Sequence, residues 1–263
     1  MEQAVERIVT VMRDRYGDRL YIPDLAAEAF FSPFHFSRIF RRETGVSPGQ
    51  YLTAVRLFEA KRLLLTTSVS VADIACRVGY RGIGTFTTRF TTLVGVPPGH
   101  YRRLAPAGIL SMSEEICRLP DPDLLSARHR SSRQLGGSDA TIVTSVHSAA
   151  VGRIGRLFVG VFDNGVPQGP PVAWTVVPGE ESALVRLGGV PAGPKVVIAV
   201  AEGRSTATGD QTRAESLISV SRLQASAGSV TSAELQLRRP RRTDPPIMIP
   251  LCNDVPVLQR IAT

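Results

Sequence analysis

From Met1 to about Leu104 apolar residues recur every three or four positions, and Val5, Ile8, Val9, Met12 and Tyr16 form one stripe of an amphipathic helix. This part of the chain is predicted to be all helix. From Ala105 to Asp139 the pattern breaks into APAG, LPDPDLL and RHRSSRQLGGSD, with at most a short helix opened by the capping pattern Ser111-x-x-Glu114. After Thr141 short β-branched runs alternate with turn residues: RLFVGVFDNG, VAWTVVPG, ALVRLGG, KVVIAVAEG, LISVSRL, AELQLRR and IMIPL. About seven strands fit these runs. Leu157, Val159 and Val161 face one way and Phe158 and Phe162 the other, so that strand is predicted to be central. Ala233, Leu235 and Leu237 alternate with Glu234, Gln236 and Arg238, as on a strand wet on one face.

The expected architecture is therefore an all-α domain over 1–105, a linker over 106–139 and an antiparallel β-sandwich over 140–263. Within the last part, Leu187 to Val200 reads as strand, GGVPAGP turn and strand. That short stretch resembles the carboxypeptidase-regulatory and transthyretin-like sandwiches.

The helical part repeats itself. Asp24-Leu25-Ala26 matches Asp73-Ile74-Ala75 at an offset of 49. At an offset of 50, Phe36, Phe40, Gly45, Val46, Pro48, Gly49 and Tyr51 match Phe86, Phe90, Gly95, Val96, Pro98, Gly99 and Tyr101. Each copy reads as a short helix, a tight turn and a second helix with a Phe-x-x-x-Phe pair on one face. That is a helix-turn-helix, whose second helix is shaped for a major groove. A helix over Pro48 to Thr66 joins the copies. At 1.5 Å per residue it spans about 28 Å, near the ~34 Å of one duplex turn, so two heads could sit in successive grooves. Gly45 and Gly95 read as helix stops followed by proline-led restarts. Leu25, Ala26, Leu57, Ala60, Leu63, Leu64, Ile74 and Ala75 read as core.

The runs DLAAEAFFSPFHFSRIFRRETGVSPGQYL, RLFEAKRLLLTT, SVADIACRVGYRGIGTFTTRF and GVPPGHYRR carry a resemblance. Residues 22–103 resemble the double helix-turn-helix domain of the AraC/XylS transcriptional regulators. The resemblance implies a bacterial regulator that binds double-stranded DNA in the cytoplasm, at the nucleoid. It implies RNA polymerase, a small-molecule effector and a second copy of the chain as candidate partners. It does not cover the last 160 residues, and most members of the family place the partner domain first, whereas here the DNA-binding part leads.

With Phe36 and Phe40 inward, Phe34, Ser37, Arg38, Arg41 and Arg42 fall on the opposite face of their helix. Arg38 stands where the family's Phe-Ser-Arg-x-Phe motif has its Arg. It has the chemistry for a bidentate contact to guanine O6/N7, and Phe34 suits a thymine methyl. Base readout in this unit is assigned to Phe34, Ser37 and Arg38, and phosphate contacts to His35, Arg41 and Arg42. In the second unit Ser37, Arg38, Arg41 and Arg42 become Thr87, Thr88, Thr91 and Thr92, and Phe34 becomes Gly84. Its outward face has lost its guanidiniums. Thr85, Thr87 and Thr88 are assigned to bases there, and Arg81, Gly82 and Gly84 to phosphate. Arg89 falls where the first unit has Ile39 and is expected to snorkel. The first unit is expected to carry most base readout; the alternative is a second unit kept only for packing.

Composition sharpens this picture in a few places. The net charge of +8 is concentrated early: up to Ala105 there are 15 Lys and Arg against 9 Asp and Glu, and beyond it 16 against 14. Only Lys61 and Lys195 are lysines. No run reaches the ~18 apolar residues of a membrane helix, and no secretory leader is read. Cys76, Cys117 and Cys252 are odd in number and far apart, so buried free thiols are expected, with no disulfide framework and no metal site. His35, His100, His129 and His147 are scattered, and no G-x-S-x-G, P-loop or dinucleotide fingerprint occurs. No enzyme activity and no cofactor are expected. DNA alkyl-damage repair proteins fuse this type of domain to a four-cysteine zinc domain, and three dispersed cysteines argue against that class.

Trp174, Phe158 and Phe162 could line an effector pocket or fill the core, the second being the usual role of such aromatics. An edge strand could instead serve association. Arg238, Arg239, Arg241 and Arg242 around Pro240 read as an accessory phosphate contact or a solvated turn. The alternative to a regulator is an interaction protein whose β-sandwich is the main functional module, tethered to DNA by the helical part.

Overall fold

Seven helices precede seven strands among the described residues of the computed structural model: 2–104, 139–148, 154–163, 165, 168–169, 171–179, 181–205 and 213–246. The helices are α1 (Glu2–Asp14), α2 (Ile22–Glu28), α3 (Pro33–Thr44), α4 (Pro48–Thr66), α5 (Val71–Arg77), α6 (Ile83–Val94) and α7 (Pro98–Leu104). The strands are β1 (Ala140–Ser148), β2 (Ile154–Phe162), β3 (Ala173–Pro178), β4 (Ser182–Val190), β5 (Gly193–Ser205), β6 (Arg213–Ala225) and β7 (Val230–Leu237). The linker with its Ser111 capping pattern, the IMIPL run, His129, Cys117 and Cys252 lie outside the described residues. No helix among the described residues is long and apolar enough to cross a membrane.

Local sequence explains where the helices stop and start. Ser32 accepts a hydrogen bond from the His35 amide at the head of α3, and Pro33 supplies the first helical residue without losing a needed donor. At the head of α4, Ser47 and Gln50 cap each other reciprocally: the Gln50 amide donates to Ser47 Oγ at 3.3 Å and the Ser47 amide to Gln50 Oε1 at 3.0 Å. Gly45 (φ 81°) and Gly95 (φ 91°) end α3 and α6 in the left-handed region, where a Cβ would be strained.

Packing divides the described residues into two units, and residues 168–169 and 241–246 belong with helices 2–104 in the first. This helical unit has two cores. Val5, Ile8, Val9 and Met12 of α1 join α2, α3 and the start of α4 around Phe36 and Phe40. Leu57, Ala60, Leu63 and Leu64 of α4 join α5, α6 and α7 around Phe86 and Phe90. The middle helix α4 is thus shared end to end between two cores, which is why its apolar residues form no single stripe. Tyr16, just past α1, packs against both.

Two later segments complete this unit. Lys61 in α4 is fully buried and donates to the Gln168 carbonyl at 2.6 Å and to Gln168 Oε1 at 3.0 Å. Gly169 lies so near α6 that a Cβ there would meet the Leu93 carbonyl oxygen at 2.7 Å. Gln168 Nε2 donates to the Pro246 carbonyl at 2.9 Å, and Asp244, two residues earlier, accepts through its own carbonyl from Tyr51 and Arg13.

The second unit holds two sheets, ordered β4-β1-β7 and β3-β2-β5-β6. One apolar cluster draws on both: Ile142 and Val146, Leu157, Val159 and Val161, Val197 and Ala199, Leu235 and Leu237. The four-stranded sheet is antiparallel throughout, with β2 inside as its two-sided apolar pattern predicts. The three-stranded sheet is mixed, which corrects the expectation of a purely antiparallel sandwich. β1 pairs antiparallel with β4 but parallel with β7, Val146 lying beside Leu235. Alternation reveals which face of a strand is dry and carries no information on direction. The Pro191-Ala192 connection carries the chain from β4 in one sheet to β5 in the other.

On the opposite face of β2, Phe158 and Phe162 are buried, and Phe158 stacks on Trp174 with centroids 6.1 Å apart. Between them, a Cβ on Gly160 would meet Phe158 at 2.8 Å and Phe162 at 3.0 Å. The rings fill the space over that glycine.

Candidate nucleic-acid interface

The sequence repeat is a structural repeat. In the first head Phe36 lies 5.4 Å from Phe40, which meets Tyr51 edge-on at 5.5 Å. In the second, Phe86 lies 5.5 Å from Phe90, which meets Tyr101 edge-on at 5.6 Å. Each triad pins the inner face of α3 or α6 and thereby turns the opposite face to solvent. Edge-on aromatic pairs add about 0.5–1.5 kcal/mol beyond their buried area, so the two heads are rigid for the same reason.

On α3, Phe34 is 81% exposed, and Arg38, Arg41 and Arg42 are exposed along the same face one and two turns on. Ser37 is half-buried, with its hydroxyl donating back to the Pro33 carbonyl at 2.8 Å, so its oxygen is free only to accept. His35 is half-buried with its ring 5.2 Å from that of Phe31. Arg42 is paired with Glu43 at 2.6 Å, a competitor that sequence spacing does not flag. Such a surface pair is worth at most about 1 kcal/mol.

On α6, Thr85 and Thr88 are exposed and Thr87 is half-buried. Arg81 and Gly84 are exposed and Gly82 half-buried; a Cβ at either glycine would meet nothing within 4 Å. The backbone there is open for close approach. Arg89 is exposed, unlike its counterpart Ile39, and sits near enough to Tyr80 to oppose the upward pull that burial exerts on that phenol's pKa. Sequence reading missed several exposed apolar side chains, two of them in the turns or first positions of the reading helices. Ile83, at the first position of α6, and Phe30, in the turn of the first head, are 50% and 88% exposed. The signal for Ile83 was its place beside Gly84, matching Pro33 in the first head.

Cys76 is exposed, correcting the expectation of a buried thiol: Ile74, Ala75 and Val78 occupy the inner face of α5 and its close, and Cys76 falls outside it. His147 lies 3.2 Å from Ser182 Oγ, and His100 is exposed. Among the described residues no group of three or more His, Cys, Asp or Glu could hold a metal ion.

A helix-turn-helix domain family matches residues 25–104. Over 91 residues the chain is 38% identical to an HTH-type transcriptional regulator of Mycobacterium tuberculosis, Rv1931c, covering 35% of each protein. It is 30% identical over 98 residues to the HTH-type transcriptional activator AarP of Providencia stuartii, covering 37% of this chain and 73% of that one. Among solved structures, the C-terminal domain of AraT, a response regulator from Geobacillus stearothermophilus, is similar with a TM-score of 0.39 and 31% identity, over 41% of this chain and 90% of that one. The chain spans about a third of the length of the first curated relatives it matches. Through residues 25–104, this chain belongs to the AraC family of helix-turn-helix transcription regulators.

Proposed function

We propose that the protein is a sequence-specific, double-stranded DNA-binding regulator of bacterial transcription, acting at the nucleoid. The observation that carries this reading is the pair of matched heads: two helices, each pinned inward by a Phe-Phe-Tyr triad, each presenting an outward face free of bulky packing. Residues 1–105, with 168–169 and 241–246 packed among them, form the reading domain, and the strands between Ala140 and Leu237 form a β-sandwich for effector binding or association.

The first head supplies most sequence choice. Arg38 takes a guanine edge in the major groove, Phe34 a thymine methyl, and Ser37 accepts from a base amino group. Arg41, Arg42 and His35 contact phosphates and make affinity fall with salt. The second head reads weakly through Thr85, Thr87 and Thr88. Arg81 and the open backbone at Gly82 and Gly84 approach phosphate there. Its threonines offer methyls and hydroxyls, but no bidentate fork of the kind that fixes a guanine.

Binding-site selection with the full chain, followed by genome-wide mapping of bound sites, tests this. The expected result is one bipartite motif whose first block is more strongly constrained than its second. Uniform binding to matched and scrambled duplexes would overturn the reading.

A further inference from the structure

We infer that Arg56, midway along α4, is a positioning residue for DNA reading: it braces the two heads against each other and so fixes the spacing at which they engage a duplex. The inference rests on the DNA-reading function proposed above. Arg56 lies on neither outward face and was assigned no role from sequence.

The guanidinium reaches in two directions at once. Its Nε donates to the Tyr16 carbonyl and its Nη2 to the Asp18 carbonyl, both at 2.8 Å. Those carbonyls lie in the segment between α1 and α2, just past the end of α1. On its other side the guanidinium carbon lies 5.9 Å from the centre of the Tyr80 ring. Tyr80 belongs to the turn of the second head, and its ring meets Phe86 edge-on at 5.3 Å, at the root of α6. One planar, five-donor group therefore links the entry to the first head with the turn of the second.

The surrounding backbone is shaped to this contact. Gly79 has φ 84°, and a Cβ there would stand 2.8 Å from Arg56 Nη2 and 2.9 Å from the Tyr16 carbonyl oxygen. Gly17 lies so close that its own Cβ would meet the Arg77 carbonyl oxygen at 2.6 Å. Two glycines thus let the α1–α2 segment and the α5–α6 turn approach around one guanidinium. α4 sets the length of the connection between the heads, and the brace sets their rotation about it. Among the apolar side chains of the described residues, Tyr16 is the one that packs against both cores.

The test uses the full chain and the duplex recovered by binding-site selection, resynthesised with one or two base pairs added or removed between the two blocks. Two base pairs rotate one block by about 70° relative to the other, given 10–10.5 pairs per turn. The wild-type chain is expected to lose about tenfold or more in affinity at that change. Arg56→Ala and Tyr80→Leu should flatten this dependence to within about threefold, with Arg56→Lys between them because it lacks the planar fork. Circular dichroism confirms that each variant is folded, and one folded variant suffices. Equal loss on every spacing, as a merely destabilised protein would show, or a profile superimposable on wild type, would overturn the brace while leaving DNA reading intact. Failure of the wild-type chain to select any duplex would overturn both.

Discussion

Phe30 and Gly79 hold the same place in the two repeats, and both have left-handed backbones, at φ 59° and 84°. Only the second site is crowded: Arg56 stands where a Cβ of residue 79 would go, whereas the Phe30 side chain is almost wholly in solvent. A non-glycine residue in this region costs roughly 1–2 kcal/mol, which the first head bears and the second does not.

Gly79→Ala is accordingly expected to cost about 2 kcal/mol or more, combining backbone strain with displacement of the guanidinium. Phe30→Gly should lie within about 1 kcal/mol of neutral, because relief of strain is offset by a freer unfolded chain. Urea unfolding of the two variants measures both; an equal cost for the two would contradict the asymmetry.

Arg38→Ala should relax preference at about one base pair by about 1–3 kcal/mol and leave the rest of the motif unchanged. Competition with singly substituted duplexes reads this out, and an equal loss on all duplexes would remove Arg38 from base readout.

Arg42→Ala should weaken all duplexes alike and reduce the slope of log K against log salt by about 0.9. Glu43→Gln should act in the opposite direction, since it releases Arg42 from the ion pair that now holds it. A salt titration of the two variants against wild type decides; if Glu43→Gln leaves affinity unmoved, the pair is no competitor.

Tyr51→Phe removes a hydroxyl that accepts from Arg13 and donates to the Asp244 carbonyl, at a cost of about 1 kcal/mol near neutral pH. The balance shifts in alkali. Burial holds the Tyr51 phenol above its ordinary pKa, against the opposing pull of Arg13. Above about pH 10 the unfolded chain ionises first, and stability falls as pH climbs through the folded value. The phenylalanine variant should lose less stability than wild type over that range, as thermal unfolding at stepped pH would reveal.

Gln168→Leu leaves Lys61 Nζ without its Oε1 acceptor and the Pro246 carbonyl without its donor, both inside the helical unit. A loss of about 1–3 kcal/mol is expected. Unfolding followed by the fluorescence of probes on α4 would register it, and an unchanged midpoint would show these bonds to be dispensable.

Much of the helical unit was legible because its signals are local. Gly45 and Pro48 mark the break before α4, and Phe36/Phe40 and Phe86/Phe90 fix which way α3 and α6 turn. β1 went unread because Thr144 stands among Ala140, Ile142 and Val146 on its dry face and breaks the apolar alternation. Its parallel pairing with β7 depends on residues some ninety positions apart, for which no local pattern exists. The same holds for Gln168 meeting Lys61 and for Asp244 meeting Tyr51. Of the outward faces, the exposure of Arg38 and Thr88 followed from periodicity, whereas the engagement of Arg42 with Glu43 is a rotamer choice that no spacing encodes.

Gln168 and Pro246 clasp each other while both are seated among the helices, so everything from residue 171 to residue 240 leaves and re-enters the same small scaffold. That stretch is bounded on both sides along the chain by residues of the helical unit. No single scission of the polypeptide can therefore liberate the reading heads with all their packing intact, and a fragment stopped at residue 105 is a different object from the domain it is meant to isolate.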